Sequence, residues 1–183
     1  MERIKKIFFT SDQHFLHKNI LTYCPNRQFE TIEEHDKHIF DVWNTKINKN
    51  DFVFMLGDVA LCSNIQKICD LLISLNGDKF LIVGNHDFKR LKYISFRNIF
   101  KFISYENHTI YVTFNNKRTS ILLNHYPIYD FITNFHLHGH QHKPYTKQKH
   151  FLKNMMDIGV DSREDMAPWE KNELLTYIMD NKK

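Results

Sequence analysis

The sequence is short of most residues that mark a specialised architecture. Cysteine occurs three times, at Cys24, Cys62 and Cys69, an odd number without C-x-x-C spacing. That argues against a disulfide framework and makes a reducing compartment, the cytoplasm, the expectation. Glycine (five) and proline (four) are sparse and never gather into a linker. Nothing in the composition therefore divides the 183 residues, and one domain over residues 1–183 is expected. No apolar run approaches the ~20 residues of a membrane span. The start, Met1-Glu2-Arg3-Ile4-Lys5-Lys6, runs into a strand pattern rather than the hydrophobic segment of a secretion signal.

A basic stripe is missing too. The net charge is +4 with histidine neutral, and Arg3, Lys5, Lys6, Lys89, Arg90, Lys92, Lys147, Lys149, Lys182 and Lys183 are scattered along the chain. Proteins that track nucleic acid concentrate such charge to neutralise several phosphates at once. Extended nucleic-acid binding is not expected, and a small anionic partner fits better. The composition fixes no oligomeric state. Histidine is what the chain has in excess: twelve residues, more than surface decoration needs.

Periodicity supplies the frame. Ile4–Thr10 reads as a strand, and Thr31 with Glu34 three residues on has capping-box spacing. The helix so opened places Ile32, His35, Ile39, Val42, Trp43 and Ile47 on or near one face. Asp51–Leu56 is a second strand, Asn64–Leu75 a second helix, and Asn76-Gly77-Asp78 turns into a third strand, Lys79–Val83. A β-α-β-α-β order predicts parallel strands with right-handed crossovers, and ligands gather at the carboxyl ends of such strands. Further on, Phe100–Tyr105, Thr109–Phe114 and Thr119–Leu123 read as strands, the last two joined through Asn115-Asn116-Lys117-Arg118 as a hairpin. A short strand near Met155–Val160 and a helix near Trp169–Met179 close the chain. The fold class expected is α/β, with two mixed sheets packed face to face and flanked by helices.

Five polar stretches follow these strand patterns: Asp12-Gln13-His14, Gly57-Asp58, Gly84-Asn85-His86-Asp87, Asn124-His125 and Gly139-His140-Gln141-His142. Each alone has an ordinary structural reading as a turn or cap. Asp12 and His14, at i and i+2, point the same way in an extended chain. Carboxylate, amide oxygen and imidazole converging on one edge form a borderline-hard donor set, suited to Mn, Fe, Zn or Co rather than to a thiolate site. From His136, a zinc hydrolase of the His-x-His-x-Asp-His type would need Asp at 140 and His at 141; the chain has His140 and Gln141. His138 is expected to pack behind the site and His136 to suit the surface. His17, Lys18, Asn19 and Arg27 follow the first stretch closely enough to reach a substrate, with His17 and Arg27 as the substrate-binding candidates and Arg163 a further one. Tyr126, Phe131, Phe135 and Tyr145 are candidates for stacking on a base, with core packing as the alternative.

Taken together, D-x-H, G-D, G-N-H-D, an isolated H and G-H-x-H in this order resemble the signature of the calcineurin-like metallophosphoesterase superfamily. The Ser11-Asp12-Gln13-His14-Phe15-Leu16-His17-Lys18-Asn19-Ile20 start, Asn124-His125-Tyr126-Pro127 and Ile158-Gly159-Val160-Asp161 are similar to a small bacterial and phage branch of it. The resemblance implies two divalent metal ions, manganese first, with iron, zinc, cobalt or nickel as alternatives. Asp12, His14, Asp58 and His142 would hold one ion, and Asp58, Asn85, His125 and His140 the other. It implies His86 as the catalytic acid, with Asp87 orienting its ring. The activity implied is hydrolysis of a small phosphate ester, a phosphodiester such as a linear or cyclic nucleotide ahead of a monoester. A nuclease of the same superfamily and a non-catalytic metal-binding scaffold are the alternatives.

Overall fold

Thr31 opens the longest helix of the computed structural model, which describes residues 4–88, 99–144 and 154–181. Its hydroxyl accepts from the Glu34 amide at 3.2 Å, while the Glu34 carboxylate accepts from the Thr31 amide at 3.3 Å. The reciprocal pair satisfies two donors that a helix start otherwise leaves open. The helix, α2 (Ile32–Lys46), follows a one-turn α1 (Ile20–Tyr23) that the sequence pattern does not reveal. α2 buries His35, Ile39 and Trp43, with Ile47 completing the stripe. Asn64 caps α3 (Ile65–Ser74) by accepting from the Lys67 amide, and Ile68 and Leu72 face inward.

The strands are β1 (Ile7–Thr10), β2 (Phe52–Met55), β3 (Asp78–Ile82), β4 (Phe100–Ser104), β5 (His108–Phe114), β6 (Lys117–Leu123), β7 (Phe135–His138), β8 (Met155–Asp157) and β9 (Trp169–Glu170). They form two mixed sheets, one of five strands in the order β4-β3-β2-β1-β9 and one of four in the order β5-β6-β7-β8. β1, β2 and β3 pair in parallel, as the alternating pattern predicts; β4 adds a further parallel strand, and β6, β7 and β8 are also parallel to one another. The helix expected near Trp169–Met179 starts two residues later: Trp169 and Glu170 form β9, pairing antiparallel with Phe9 and Phe8, before α4 (Lys171–Asp180) begins. The β5–β6 hairpin is tighter than expected, because Phe114 pairs with Lys117 and leaves only Asn115 and Asn116 in the turn. Both have positive φ, 48° and 60°, the conformation a two-residue hairpin turn demands and asparagine tolerates.

Alternation along the central strands divides the core. Phe8, Val53, Met55 and Leu81 pack toward α2 and α3, with Trp43 and Leu72 among their neighbours. Phe9, Leu56 and Ile82 belong to a second cluster with Ile121, Leu123 and Leu137 of the other sheet and Leu174, Leu175 and Ile178 of α4. The two sheets thus pack on each other, and helices flank them. Since β1, β2, β3, β6 and β7 each run out at the segment that carries one of the five polar stretches, those stretches meet along one edge. Arg3, Lys89, Arg90, Lys92, Tyr145, Lys147, Lys149, Lys182 and Lys183 lie outside the described residues.

Trp43 is fully buried, and its indole donates to the Asn76 carbonyl at 2.9 Å. Trp43→Ala is expected to cost about 3–5 kcal/mol of stability, against about 1 kcal/mol for Thr31→Ala at the cap. Urea unfolding monitored by circular dichroism measures both, and equal costs would contradict the packing described.

Candidate metal centre

The loops that end the strands are held in an unusual backbone conformation. Asp12, His14, Asp58, His140 and His142 have φ of 58°, 51°, 53°, 71° and 49°, all left-handed. Such residues cost of order 1 kcal/mol or more each and persist only where the surroundings over-determine them. The extended-chain argument for Asp12 and His14 is therefore corrected: they converge through two left-handed turns, not along a strand. The Asp12 and His14 amides are fixed by the carbonyls of Gly57 and Asp58, at 3.0 Å each.

Two glycines let backbone and carboxylate approach. A Cβ at Gly84 would stand 2.3 Å from Asp58 Oδ1, and one at Gly139 would stand 2.3 Å from Asp12 Oδ2. Those same oxygens accept from backbone amides: His86 N donates to Asp58 Oδ1 and His140 N to Asp12 Oδ2, both at 2.8 Å. Each carboxylate thereby ties its own loop to another and keeps its second oxygen for the interior of the site.

Those second oxygens organise two clusters. Ligand atoms of Asp12, His14 and His142 lie within 4.8 Å of one another, as do those of Asp58, His125 and His140. Asp58 Oδ2 stands between them, 3.7 Å from His14 Nε2 and 3.5 Å from His125 Nε2. Asn85 Oδ1 lies 2.9 Å from His125 Nε2, on the second cluster's side. Among the described residues, Asp12 Oδ1 and His14 Nε2 are buried without a hydrogen-bond partner. Leaving such atoms unsatisfied is costly, and a cation would satisfy both. The donor set, two carboxylates, one amide oxygen and four imidazoles, fits a pair of divalent metal ions.

The electrostatics follow from burial and pairing. Burial opposes the charged form of Asp58, yet His125, the His86 amide and His14 together hold its pKa down at about 2. Burial also opposes charge on His125, but the Asp58 hydrogen bond and the Asp12 charge raise it to about 9. His142 rises against burial to about 10, chiefly through its bond to Asp161. His14, with burial dominant, falls to about 2, and burial lifts Asp12 to about 6.

The structure brings Asp12, His14, Asp58, Asn85, His86, His125, His140 and His142 to one place. His86 is partly exposed, with Nε2 3.9 Å from Asp58 Oδ2 and its ring 5.4 Å from that of His14. Asp87 does something other than expected: one oxygen accepts from the amides of Asp58 and Gly84, at 2.8 and 2.9 Å, and the other from Val59 at 3.0 Å. It binds two ligand loops together rather than standing open to a neighbouring ring. His17 is at the site, its Nδ1 3.3 Å from His14 Nδ1. Arg27 is the clear correction. Expected to reach substrate, it is buried, and its guanidinium bonds Asp161, Asp12 O and Gln13 O.

In the sequence Asp161 stands out only as part of the Ile158-Gly159-Val160-Asp161 segment. It follows β8 as Asp12 and Asp58 follow β1 and β2, and that position is the signal that marks it. His136 is not at the surface: it is buried, accepts from the Ile128 amide and bonds the Leu122 carbonyl. His138 is buried as expected. Phe135 is core, and Phe131 packs on His136. Tyr126 is exposed, its hydroxyl 3.3 Å from Asn85 Oδ1 and its ring 4.6 Å from His140. Arg163 is ion-paired with Asp165 and Glu173 and covers the Trp169 ring.

Comparison with known proteins bears on the family and the fold. The family model described as calcineurin-like phosphoesterase matches residues 5–177. The uncharacterized protein MJ1445 of Methanocaldococcus jannaschii is 33% identical over 150 residues, covering 81% of this chain and 76% of its own. The Gene 66 protein of Mycobacterium phage L5 is 27% identical over 180 residues, covering 85% and 86%. The crystal structure of the protein of unknown function AQ665 from Aquifex aeolicus shares the fold, with a TM-score of 0.73 at 23% identity over 95% of this chain and 100% of that one.

Metal capture should carry a proton signature. With pKa values of about 9 and about 10, metal-free His125 and His142 are protonated at neutral pH. A cation needs their bare nitrogens, so loading expels protons, and affinity climbs as pH rises toward that range and falls on acidification. Titration calorimetry with Mn²⁺ in two buffers of different ionisation enthalpy reads the released protons. Identical heats in both would contradict the assignment.

Proposed function

Because the chain belongs to the calcineurin-like phosphoesterase family, we propose that it is a dinuclear metal-dependent hydrolase of a small phosphate ester, a phosphodiester such as a linear or cyclic nucleotide. The observation that carries the reading is Asp58, whose single free oxygen faces the histidines of both clusters at 3.5 and 3.7 Å. Asp12, His14, Asp58 and His142 would hold one divalent ion, and Asp58, Asn85, His125 and His140 the other. Manganese is the first expectation, with iron, zinc, cobalt or nickel suited to the same oxygen and imidazole donors. When bound, such a pair supplies Lewis-acid polarisation of the phosphoryl oxygens and makes a water acidic enough to attack.

The chain's own groups do the rest. His86 stands at the open side of the site, where its Nε2 can hand a proton to the departing alkoxide. Asp87 positions it indirectly, by fixing the Gly84 turn against the Asp58 loop. His17 braces His14 through their facing Nδ1 atoms, and its ring lies 6.1 Å from that of His86. A diester is favoured over a monoester because the three arginines of the described residues are engaged elsewhere. Arg27 is bound to Asp161, Arg118 lies over Tyr111, and Arg163 lies over Trp169. Among the described residues none of the three is left to clamp a second phosphate charge; Arg3, Arg90 and Arg97 lie outside them. The match over residues 5–177 supports reading residues 1–183 as one domain. Its three free cysteines suit the cytoplasm, and among the described residues no helix is long and apolar enough to cross a membrane.

Hydrolysis of an activated aryl phosphodiester in the presence of Mn²⁺ should exceed that of the matching monoester, and Asp58→Asn should lose at least about a hundredfold. Monoester preference would overturn the substrate class, and no turnover of either would overturn the activity. His86→Ala should retain metal while losing more turnover with poor leaving groups than with good ones. Equal loss on both would remove the acid role.

A further inference from the structure

Arg27 and Asp161 form a buried ion pair, and an Arg27 terminal nitrogen also lies 3.3 Å from His142 Nδ1, which donates to Asp161 rather than accepting from Arg27. The guanidinium has five N–H groups. Nε donates to Asp161 Oδ1 at 2.9 Å, and one terminal nitrogen donates to Asp161 Oδ2 at 2.6 Å and to the Asp12 carbonyl at 2.7 Å. The other terminal nitrogen donates to the Gln13 carbonyl at 3.2 Å and to His35 Nε2 at 3.1 Å. His35 can accept there because its Nδ1 faces Asp36 Oδ1 at 2.9 Å and carries the proton. Asp161 is equally committed: Oδ1 also accepts from Asn26 Nδ2 at 3.0 Å, and Oδ2 from His142 Nδ1 at 2.8 Å.

The last bond has a chemical consequence. A proton fixed on His142 Nδ1 leaves Nε2 as the atom able to offer a lone pair, and Nε2 is the one facing Asp12 Oδ1, at 3.9 Å. The guanidinium meanwhile holds the carbonyls of Asp12 and Gln13, the turn whose left-handed residues aim Asp12 and His14. One buried pair therefore grips both ends of one cluster. His140, its counterpart in the other cluster, is exposed. Cys24, His142 and Asp161 also bring ligand atoms within 4.8 Å of one another. With both Asp161 oxygens already filled by Arg27, Asn26 and His142, that trio is the surroundings of His142 rather than a third ion site.

We infer that Arg27 and Asp161 are positioning residues that pre-form the Asp12, His14 and His142 cation position, acting through the tautomer of His142 and the Asp12 turn. The inference rests on the dinuclear reading above and adds that the two cation positions depend on different supports. Loss of the pair should empty one position and spare the other.

Calorimetric titration of the metal-free protein with Mn²⁺, alongside Co²⁺ absorption spectra, tests this without any turnover. The unaltered chain should bind two equivalents. Asp161→Asn should weaken one of them about 10- to 100-fold and leave the second unchanged, as His142→Ala does by removing the ligand itself. In the double variant Asp161→Asn, His142→Ala the weakened equivalent should lose less than the product of the two single losses, because Asp161 acts in part through His142. Two unchanged equivalents in Asp161→Asn, or two equally weakened, would overturn the inference while leaving the dinuclear site standing. Failure of the unaltered chain to bind two ions would instead overturn the site itself. Should Asp161→Asn not fold, Arg27→Lys keeps the charge but not the five donors, and must show the same one-sided weakening.

Discussion

Two buried carboxylates, each with one oxygen tied to a backbone amide and the other left facing histidines, set the terms for this structure. Asp12 is tied to the His140 amide and Asp58 to the His86 amide. Each bond joins loops far apart in sequence, and the first joins loops that leave different sheets. The remaining oxygens sit in a place where water is scarce and negative charge is costly. The surrounding imidazoles, the left-handed turns and the close glycine contacts all follow from keeping those two oxygens in place.

The same arrangement explains why the site is electrostatically uneven before any ion arrives. His125 and His142 are held protonated by their carboxylate neighbours, whereas burial keeps His14 neutral. Three imidazoles of similar intrinsic basicity are thus spread across about eight pH units by position alone. Such spreading is a property of sites assembled from several loops, where each ring meets a different partner.

Much of this was legible in the sequence, for physical reasons. The capping box at Thr31, the stripe of His35, Ile39 and Trp43, and the strand alternation are local signals, and local signals survive into the fold. The polar stretches were legible because each follows a strand, and parallel strands end at one edge. What stayed hidden was relational. Nothing adjacent to Arg27 says that its partner lies 134 residues away, so an arginine near the first stretch reads as exposed when it is buried. Asp87 reads as a partner of the neighbouring ring, yet its oxygens are consumed by amides of three other residues. β9 is too short, at two residues, to show alternation at all.

The turns at Gly84 and Gly139 also bear on how such a chain can change over generations. A single added methyl at either would stand 2.3 Å from a site carboxylate, so these turns are closed to substitution in a way that the exposed rim around Lys18, Asn19 and Tyr126 is not. Novelty in what the molecule accepts must therefore arise from the rim, by exchanging side chains that surround the opening. The turns leave little freedom and the rim leaves more, in a chain that shares about a quarter to a third of its aligned residues with archaeal and bacteriophage relatives.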